Sequence, residues 1–345
     1  MGNIAKFGII AGKKVDLNKF ETSLIEGKLN PFIERCLKEY HALDIGHKVL
    51  SGERLTTDEM KFLVEKASTG LLLKLIELCP GRLRELRLPQ PILVLPLSSW
   101  LWECSELELI ERSFKRIAEC ASSRPAVLVD QIPFERLKTS ITRLFSEIRQ
   151  RFGPVKILGS SVGEIMGTRA GGSGSLPDDL VVSRLIQLKE AGLSGVLGTA
   201  ATERLHLLKE VGLTYAVRTN LDLISSDQEI VDVLKHLREV MDRDRTLDLW
   251  IPSLLERGSA AAELRVLRVA AIGAIVLDKI RFIRATSVAL SLEGMRMAKR
   301  FGANDFGYGA VDDFTADALG IDRIERLREV LSKKSGSRSR CSRVQ

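Results

Sequence analysis

The sequence has few aromatic residues, and its cysteines lie far apart. Aromatic residues make up 5% of the 345 residues, whereas Leu, Ile, Val and Ala are abundant. This composition favours a parallel sheet covered by helices over an antiparallel sandwich. The cysteines are too scattered for a disulfide framework or a zinc cluster. They are Cys36, Cys79, Cys104, Cys120 and Cys341.

Long apolar runs are also missing. No stretch is long enough to cross a bilayer, and no signal-peptide pattern opens the sequence. The expected location is therefore the reducing environment of the cytoplasm, with no membrane partner.

The positive charge is concentrated in one segment. The net charge is +7, and residues 333–345 contain five Lys or Arg residues and no acidic residue. This Ser/Gly/Arg-rich stretch predicts a disordered, solvated tail. Phosphate attraction leaves a nucleic-acid role open, but no basic surface with interleaved aromatic residues supports it, and a solvated terminus is the favoured interpretation.

From residue 89 onward, short apolar runs alternate with helical patterns. Strands followed by amphipathic helices predict an α/β protein, an eight-stranded parallel (βα)8 TIM-like barrel. An open doubly wound sheet is the alternative, but it needs a glycine-rich loop after the first strand, and residues 96–103 contain no glycine. The predicted strands are 91–95, 126–130, 155–158, 195–199, 215–219, 247–251, 282–286 and 304–307.

The chain divides into three predicted parts. Residues 1–88 form a helical N-terminal extension packed on the barrel, residues 89–332 form the barrel, and residues 333–345 form the tail. Within the extension, Thr56 or Thr57 is placed to cap a helix, because acidic residues follow in its first turn.

Residues 300–313 read Arg-Phe-Gly-Ala-Asn-Asp-Phe-Gly-Tyr-Gly-Ala-Val-Asp-Asp. They resemble the last strand of a group of radical S-adenosylmethionine (SAM) enzymes, whose version runs Phe-Gly-Ala-Asn-Asp-Leu-Gly-Gly-Thr before two acids. Segments 52–59, 188–201 and 277–286 resemble further parts of the same group, in the same order. The group contains deazaflavin (FO) synthase and the menaquinone-biosynthesis enzymes of the futalosine pathway.

The sequence departs from this group in the loop that would bind the iron–sulfur cluster and in the segment after the fifth strand. Those enzymes hold a [4Fe-4S] cluster with a Cys-x3-Cys-x2-Cys loop, and here the corresponding loop carries only Cys104. Their Tyr-Gly-His-x-Glu segment after the fifth strand is replaced by residues 221–225, Leu-Asp-Leu-Ile-Ser. The resemblance therefore implies a paralogue without the cluster. No cofactor is certain, and SAM stays a candidate ligand.

Polar residues at the predicted strand ends are candidates for binding a ligand, because the βα loops converge there. The position of Arg218 indicates a ligand contact or an ion pair within the site, because an arginine at an inner strand end needs a buried anion. The orientation of Arg284 is left open, and Asn304 and Asp305 are equally compatible with structural hydrogen bonds. The candidates are Ser161, Glu164, Thr199, Arg218, Asn220, Asp222, Thr286, Asn304 and Asp305.

No catalytic residue is assigned. The four histidines fall on predicted helices, which argues against a histidine metal site or a Ser/His/Asp triad. Three functions remain. The favoured one is a barrel that binds a polar small molecule and serves as an accessory protein in cofactor or quinone biosynthesis, with a homologous radical SAM enzyme as its partner. The alternative is a non-radical enzyme that reuses the barrel mouth. A radical SAM enzyme with atypical cluster ligands is the least favoured.

Overall fold

A computed structural model gives the fold. It describes residues 7–10, 13–16, 29, 31–79, 90–96, 126–130, 146, 149–150, 156–161, 176–198, 204–244, 246–254, 258–286 and 289–310. In the two N-terminal strands, in residues 90–96, 126–130 and 156–161, and at the end of the last strand, the description covers the backbone alone.

The N-terminal segment begins with an antiparallel hairpin. Strand β1 (Phe7–Ile10) pairs with β2 (Lys13–Asp16), with Phe7 opposite Asp16. The expectation of a purely helical extension is therefore wrong for these residues, because two four-residue strands were too short to be separated from loop by their pattern. Helices follow from residue 31: α1 (Pro31–Glu39), α2 (Leu43–Ser51), α3 (Thr57–Glu65) and α4 (Thr69–Glu77).

Helix α3 begins at the predicted cap. The Thr56 hydroxyl accepts a hydrogen bond from the Glu59 backbone N–H, and the Glu59 carboxylate accepts one from the Thr56 backbone N–H at 2.7 Å. This reciprocal pair satisfies two backbone donors that a helix start otherwise leaves open.

Within the described residues, eight parallel strands close into a barrel. Each strand pairs with the next along the chain, and the last strand pairs with the first, Gly307 opposite Gln90. All eight predicted strands are confirmed, with ends shifted by up to three residues. They are β3 (Gln90–Pro96), β4 (Ala126–Asp130), β5 (Lys156–Ser161), β6 (Leu193–Gly198), β7 (Thr214–Asn220), β8 (Leu247–Ser253), β9 (Phe282–Thr286) and β10 (Asp305–Ala310).

Helices cover the outside of the second half of the barrel. Gly192 and Gly212 end α5 and α6, and both adopt positive φ angles (125° and 75°), which a residue with a side chain rarely does. The helices are α5 (Asp178–Ala191), α6 (His206–Val211), α7 (Asp227–Asp244), α8 (Ala260–Val276) and α9 (Leu292–Ala298).

Trp250 on β8 anchors the layer between strands and helices. It is fully buried, and its indole N–H donates to the Thr219 hydroxyl on β7 at 2.9 Å. Gly273 on α8 lies directly against the indole, because a Cβ atom there would stand 1.9 Å from Trp250 Cζ3. The absence of a side chain at Gly273 therefore sets how closely α8 approaches the sheet.

The N-terminal helices pack on the outside of α7 and α8. Arg238 of α7 donates to the Leu55 carbonyl at 2.8 Å, and Arg268 of α8 donates to the Ala67 carbonyl at 2.9 Å. The guanidinium of Arg54 also holds Asp242 of α7, with Nη2 to Oδ1 at 2.7 Å. Polar contacts therefore fix this helical layer to the barrel at several points. Across the described residues, none of the helices combines the length and the apolar character needed to cross a membrane.

Candidate functional site

The two faces of the barrel strands carry different residues. Ile283 and Phe306 belong to a large apolar cluster that also includes helix residues. A separate small cluster contains no helix residue and lies on the inner face of β6 to β9; its members are Leu197, Ala216, Leu249, Ile251 and Phe282. Because side chains alternate along a strand, the residues two positions from these also face the interior.

The interior of β6 to β9 has an apolar floor. Leu197 is in register with Ala216, and Ala216 is in register with Leu249. Leu249 is in turn in register with Phe282 of β9. These four side chains form one row across neighbouring strands, as in the layered interiors of such barrels. The row closes this side of the barrel toward the amino ends of the strands.

The next row toward the mouth, here called the charged row, contains charged residues beside Ile251. Arg218 on β7 is half-buried and in register with Ile251 on β8. Arg284 on β9 is in register with Asp305 on β10, and each is 5% exposed. Arg284 donates to a single oxygen of Asp305, Oδ2, from Nε at 3.0 Å and from Nη2 at 2.7 Å. Arg284 therefore faces the barrel interior and not the helices.

The top row lies at the carboxyl ends of the strands and is polar. Asn220 on β7 is in register with Ser253 on β8, and Thr286 ends β9. Ser253 is fully buried and donates to the Leu254 carbonyl at 3.0 Å. Asn220 Oδ1 and Thr286 Oγ1 are also buried, but neither has a hydrogen-bond partner among the described residues.

The remaining predicted site residues fall in other places. Asn304 and Asp305 were expected on the last strand; Asp305 is its first residue and Asn304 directly precedes it, so both lie at the amino end of β10, which runs on to Ala310. Asn304 serves β9: its Oδ1 accepts from the Ile283 N–H, and its Nδ2 donates to the Arg281 carbonyl, both at 2.8 Å.

Four further candidates contribute less to the described site. Asp222 lies on a 3-10 turn (Leu221–Leu223) just beyond β7 and is exposed. Ser161 ends β5, where the description covers the backbone only. Glu164 and Thr199 lie outside the described residues.

Sequence reasoning missed Ser253 and left Arg284 undecided. The signal was present in the alternation along each strand. Phe282 faces inward, so Arg284 and Thr286 must share its face. In the same way, Ile251 facing inward places Ser253 inside. A strand-by-strand assignment of faces would have grouped Arg218, Arg284 and the top-row residues.

No family model matches the chain, and comparison with curated proteins finds no match. Solved structures share the fold. Methylornithine synthase (PylB) has 13% sequence identity and a TM-score of 0.56, over 76% of this chain and 85% of PylB. The [FeFe]-hydrogenase maturase HydG has 13% identity and a TM-score of 0.56, over 84% of this chain and 71% of HydG. HydG from Carboxydothermus hydrogenoformans has 12% identity and a TM-score of 0.54, over 84% of this chain and 75% of HydG. The chain therefore shares its barrel fold with PylB and HydG.

The cysteines of this chain do not match the Cys-x3-Cys-x2-Cys loop of the enzyme group that the sequence resembles. Three clustered thiolates would be needed in the connection between β3 and β4, which contains Cys104 and Cys120, sixteen positions apart. Cys36 lies on α1 and Cys79 follows the end of α4, so both belong to the N-terminal layer. In the described part of the chain, no three His, Cys, Asp or Glu side chains are grouped so that they could hold a metal ion.

Proposed function

We propose that this protein binds a polar small molecule in the mouth of a radical SAM-like barrel, without a cluster of its own. In this proposal it acts as an accessory protein in deazaflavin or menaquinone biosynthesis, beside a homologous radical SAM enzyme. The barrel shared with PylB and HydG supports the scaffold. The sequence resemblance supports the pathway, and the missing cysteine loop supports the loss of radical chemistry.

One observation carries the binding role. Asn220 Oδ1 and Thr286 Oγ1 are buried at the carboxyl ends of β7 and β9 without a hydrogen-bond partner among the described residues. A buried polar atom left unpaired costs about 1–3 kcal/mol. Two such atoms at one barrel mouth are accounted for if a ligand supplies their hydrogen bonds.

The described carboxylates favour binding over acid–base catalysis. Asp305 accepts two hydrogen bonds from Arg284 and lies at the amino end of its strand. Asp222 is exposed on the turn after β7. A general acid or base must reach the reacting group directly, whereas Asp305 is held in an ion pair by Arg284 and Asp222 is exposed. The non-radical enzyme is therefore the second candidate.

Ligand binding is tested by thermal unfolding in the presence of a panel of polar metabolites that includes SAM. A ligand present at about 100 times its Kd stabilises the folded protein by about 2.7 kcal/mol, which raises the melting temperature by several degrees. We expect Asn220→Leu, which keeps the side-chain shape, to weaken this stabilisation.

The matched control for Asn220→Leu is Thr214→Val. Thr214 lies on the same strand and the same face, at the opposite end, where its hydroxyl donates to the Ser194 carbonyl at 3.2 Å. This variant should lower stability but keep the ligand response. A panel without any response, or a response that Asn220→Leu leaves unchanged, would contradict binding at the mouth.

The loss of radical chemistry is tested separately by anaerobic purification with iron and sulfide supplied. We expect no iron–sulfur absorption near 400 nm, roughly where such clusters absorb. A brown protein with stoichiometric iron would instead support a radical SAM enzyme with atypical ligands. The accessory role is tested by co-purification with the radical SAM enzyme of the same organism, and failure to associate would leave a stand-alone binding protein.

A further inference from the structure

The Arg284 guanidinium has one end that its ion pair does not use. Arg284 is 5% exposed, and its Nε and Nη2 both donate to Oδ2 of Asp305. The third nitrogen, Nη1, is buried and has no hydrogen-bond partner among the described residues. A planar guanidinium can grip both oxygens of a carboxylate, but here two donors converge on one oxygen. The geometry therefore leaves Nη1 available for a second acceptor.

The position of Arg284 connects it to the proposed site. Thr286 is two residues further along β9 on the same face, about 7 Å nearer the mouth at the usual strand rise. Its Oγ1 is buried and without a partner in the described structure. Below Arg284, the row that contains Leu249 and Phe282 is apolar. A ligand that enters from the carboxyl ends therefore reaches the Thr286 hydroxyl first and Arg284 next.

The unused donor of Arg284 favours an anion. Asp305 is the carboxylate that Arg284 contacts in the described structure, and it leaves Nη1 without an acceptor. Hydrogen bonds from an arginine guanidinium to a carboxylate or phosphate are stronger than those to neutral acceptors.

We infer that the ligand of the proposed site carries a carboxylate or phosphate group, which binds Nη1 of Arg284 and the hydroxyl of Thr286. This inference rests on the proposed function and names the chemical class of its ligand. Asn220 Oδ1, two strands away, is a buried acceptor without a partner among the described residues, so in this inference it contacts a donor group on the same molecule. The ligand is therefore an anion with an N–H or O–H group roughly 10 Å or less from its acidic end, from the strand spacing.

The test compares matched probes at constant ionic strength. Inorganic phosphate, benzoate and neutral benzamide are titrated into the full-length protein, and binding is followed by thermal unfolding and calorimetry. Benzoate and benzamide have nearly the same shape but differ in charge. We expect phosphate or benzoate to bind and benzamide not to bind, and the stronger of the two anions identifies the acidic group.

Two variants locate the effect. Arg284→Lys keeps a cation for Asp305 but loses the planar fork, and should weaken anion binding about tenfold, as expected for one charged hydrogen bond. Thr286→Val leaves the ion pair intact and should also weaken anion binding. The test therefore still applies if Arg284→Lys does not fold. Thr214→Val, at the other end of the barrel interior, should leave anion binding unchanged.

The outcomes separate this inference from the proposed function. Equal binding of benzoate and benzamide, or anion binding that survives both variants, would overturn the inference. Binding at the mouth could then still be found in the metabolite panel. The inference also fails if neither anion binds at concentrations up to tens of millimolar. If the metabolite panel is silent but the anions bind through Arg284, the site exists and the metabolite role is wrong.

Discussion

The outside and the inside of this barrel use polar groups in opposite ways. On the outside, Trp250 and Thr219 satisfy each other, and Arg238 and Arg268 donate to backbone carbonyls of the N-terminal layer. In the interior, Arg284, Asn220 and Thr286 each bury a polar atom without a partner among the described residues. Since unpaired buried groups cost free energy, a fold selected for stability alone would not retain three of them on the inner faces of β7 and β9.

Two unpaired buried atoms outside the interior show that one such atom alone does not indicate a ligand site. Thr246 Oγ1, just before β8, and His236 Nε2, on α7, are also buried without a partner in the described structure. Each stands alone in its element. The interior atoms lie on β7 and β9, on either side of β8 and near one mouth, and this grouping points to a ligand.

The largest effect is expected where the interior charge pair is broken. Arg284→Met leaves the Asp305 carboxylate buried without its cation, so the free energy of unfolding should fall by about 3–5 kcal/mol. Chemical denaturation at neutral pH measures this change.

The control is the double variant Arg284→Met/Asp305→Leu, which replaces the pair by apolar side chains. Such replacements are often neutral or stabilising, so we expect most of the lost stability to return. A double variant as unstable as the single one would show that the ion pair itself stabilises the fold. The contrast between satisfied polar groups outside the barrel and unpaired ones inside would then be weaker.

The next effect tests the tight packing on the outside. Gly273→Ala places a methyl group within 1.9 Å of the Trp250 ring, so stability should fall by about 1–3 kcal/mol despite the higher helix propensity of alanine. Gly70→Ala in α4 is the matched control, because its nearest neighbour is Ser68 Oγ at 3.8 Å. That change should raise stability by up to about 1 kcal/mol. Equal effects of both substitutions would contradict the packing argument.

A smaller, pH-dependent effect is expected at the surface of the N-terminal layer. Hydrogen bonds from Arg54, and then from Lys279, hold the pKa of the Asp242 carboxyl below its ordinary value. Its stabilising contribution is therefore present above pH 4, roughly the ordinary pKa of an aspartate, and is lost as the pH falls below it. Asp242→Asn should cost about 1 kcal/mol at pH 7, because the pair is partly exposed.

Urea denaturation at pH 7 and pH 3 measures this difference. The cost of Asp242→Asn should shrink as the pH falls. Asp232→Asn serves as the control, since Asp232 lies on the same helix and accepts only from Gln228 in the described contacts. A cost that stays constant with pH would show that Asp242 does not bind the layer through its charge.

Much of the fold was predictable from the sequence. The eight strands of the barrel are short apolar runs between helical patterns, and this local signal located all of them. Thr56 and Gly192 marked helix ends because capping depends on one or two residues. The hairpin of residues 7–16 was missed, since its pairing has no comparable local signal.

The candidate site was less predictable, because it depends on which strands are in register. Arg284 and Asp305 are 21 positions apart, and only the pairing of β9 with β10 brings them together. The same pairing gave Asn304 a backbone role that its position in the sequence did not reveal. A site built across strands follows from tertiary structure and not from a motif.

The smallest effect sharpens the comparison most directly, because it uses the same substitution on both sides of the barrel. Thr219→Val removes the acceptor of the Trp250 indole N–H and should cost about 1–3 kcal/mol. Thr286→Val removes a hydroxyl that has no partner in the described structure, so the free energy of unfolding should change by no more than about 0.5 kcal/mol and should rise if it changes. Denaturant unfolding of the two variants without added ligand measures both values. A cost at Thr286 equal to that at Thr219 would mean that the hydroxyl is already satisfied within the protein, and the interior would then be no better prepared for a ligand than the outside.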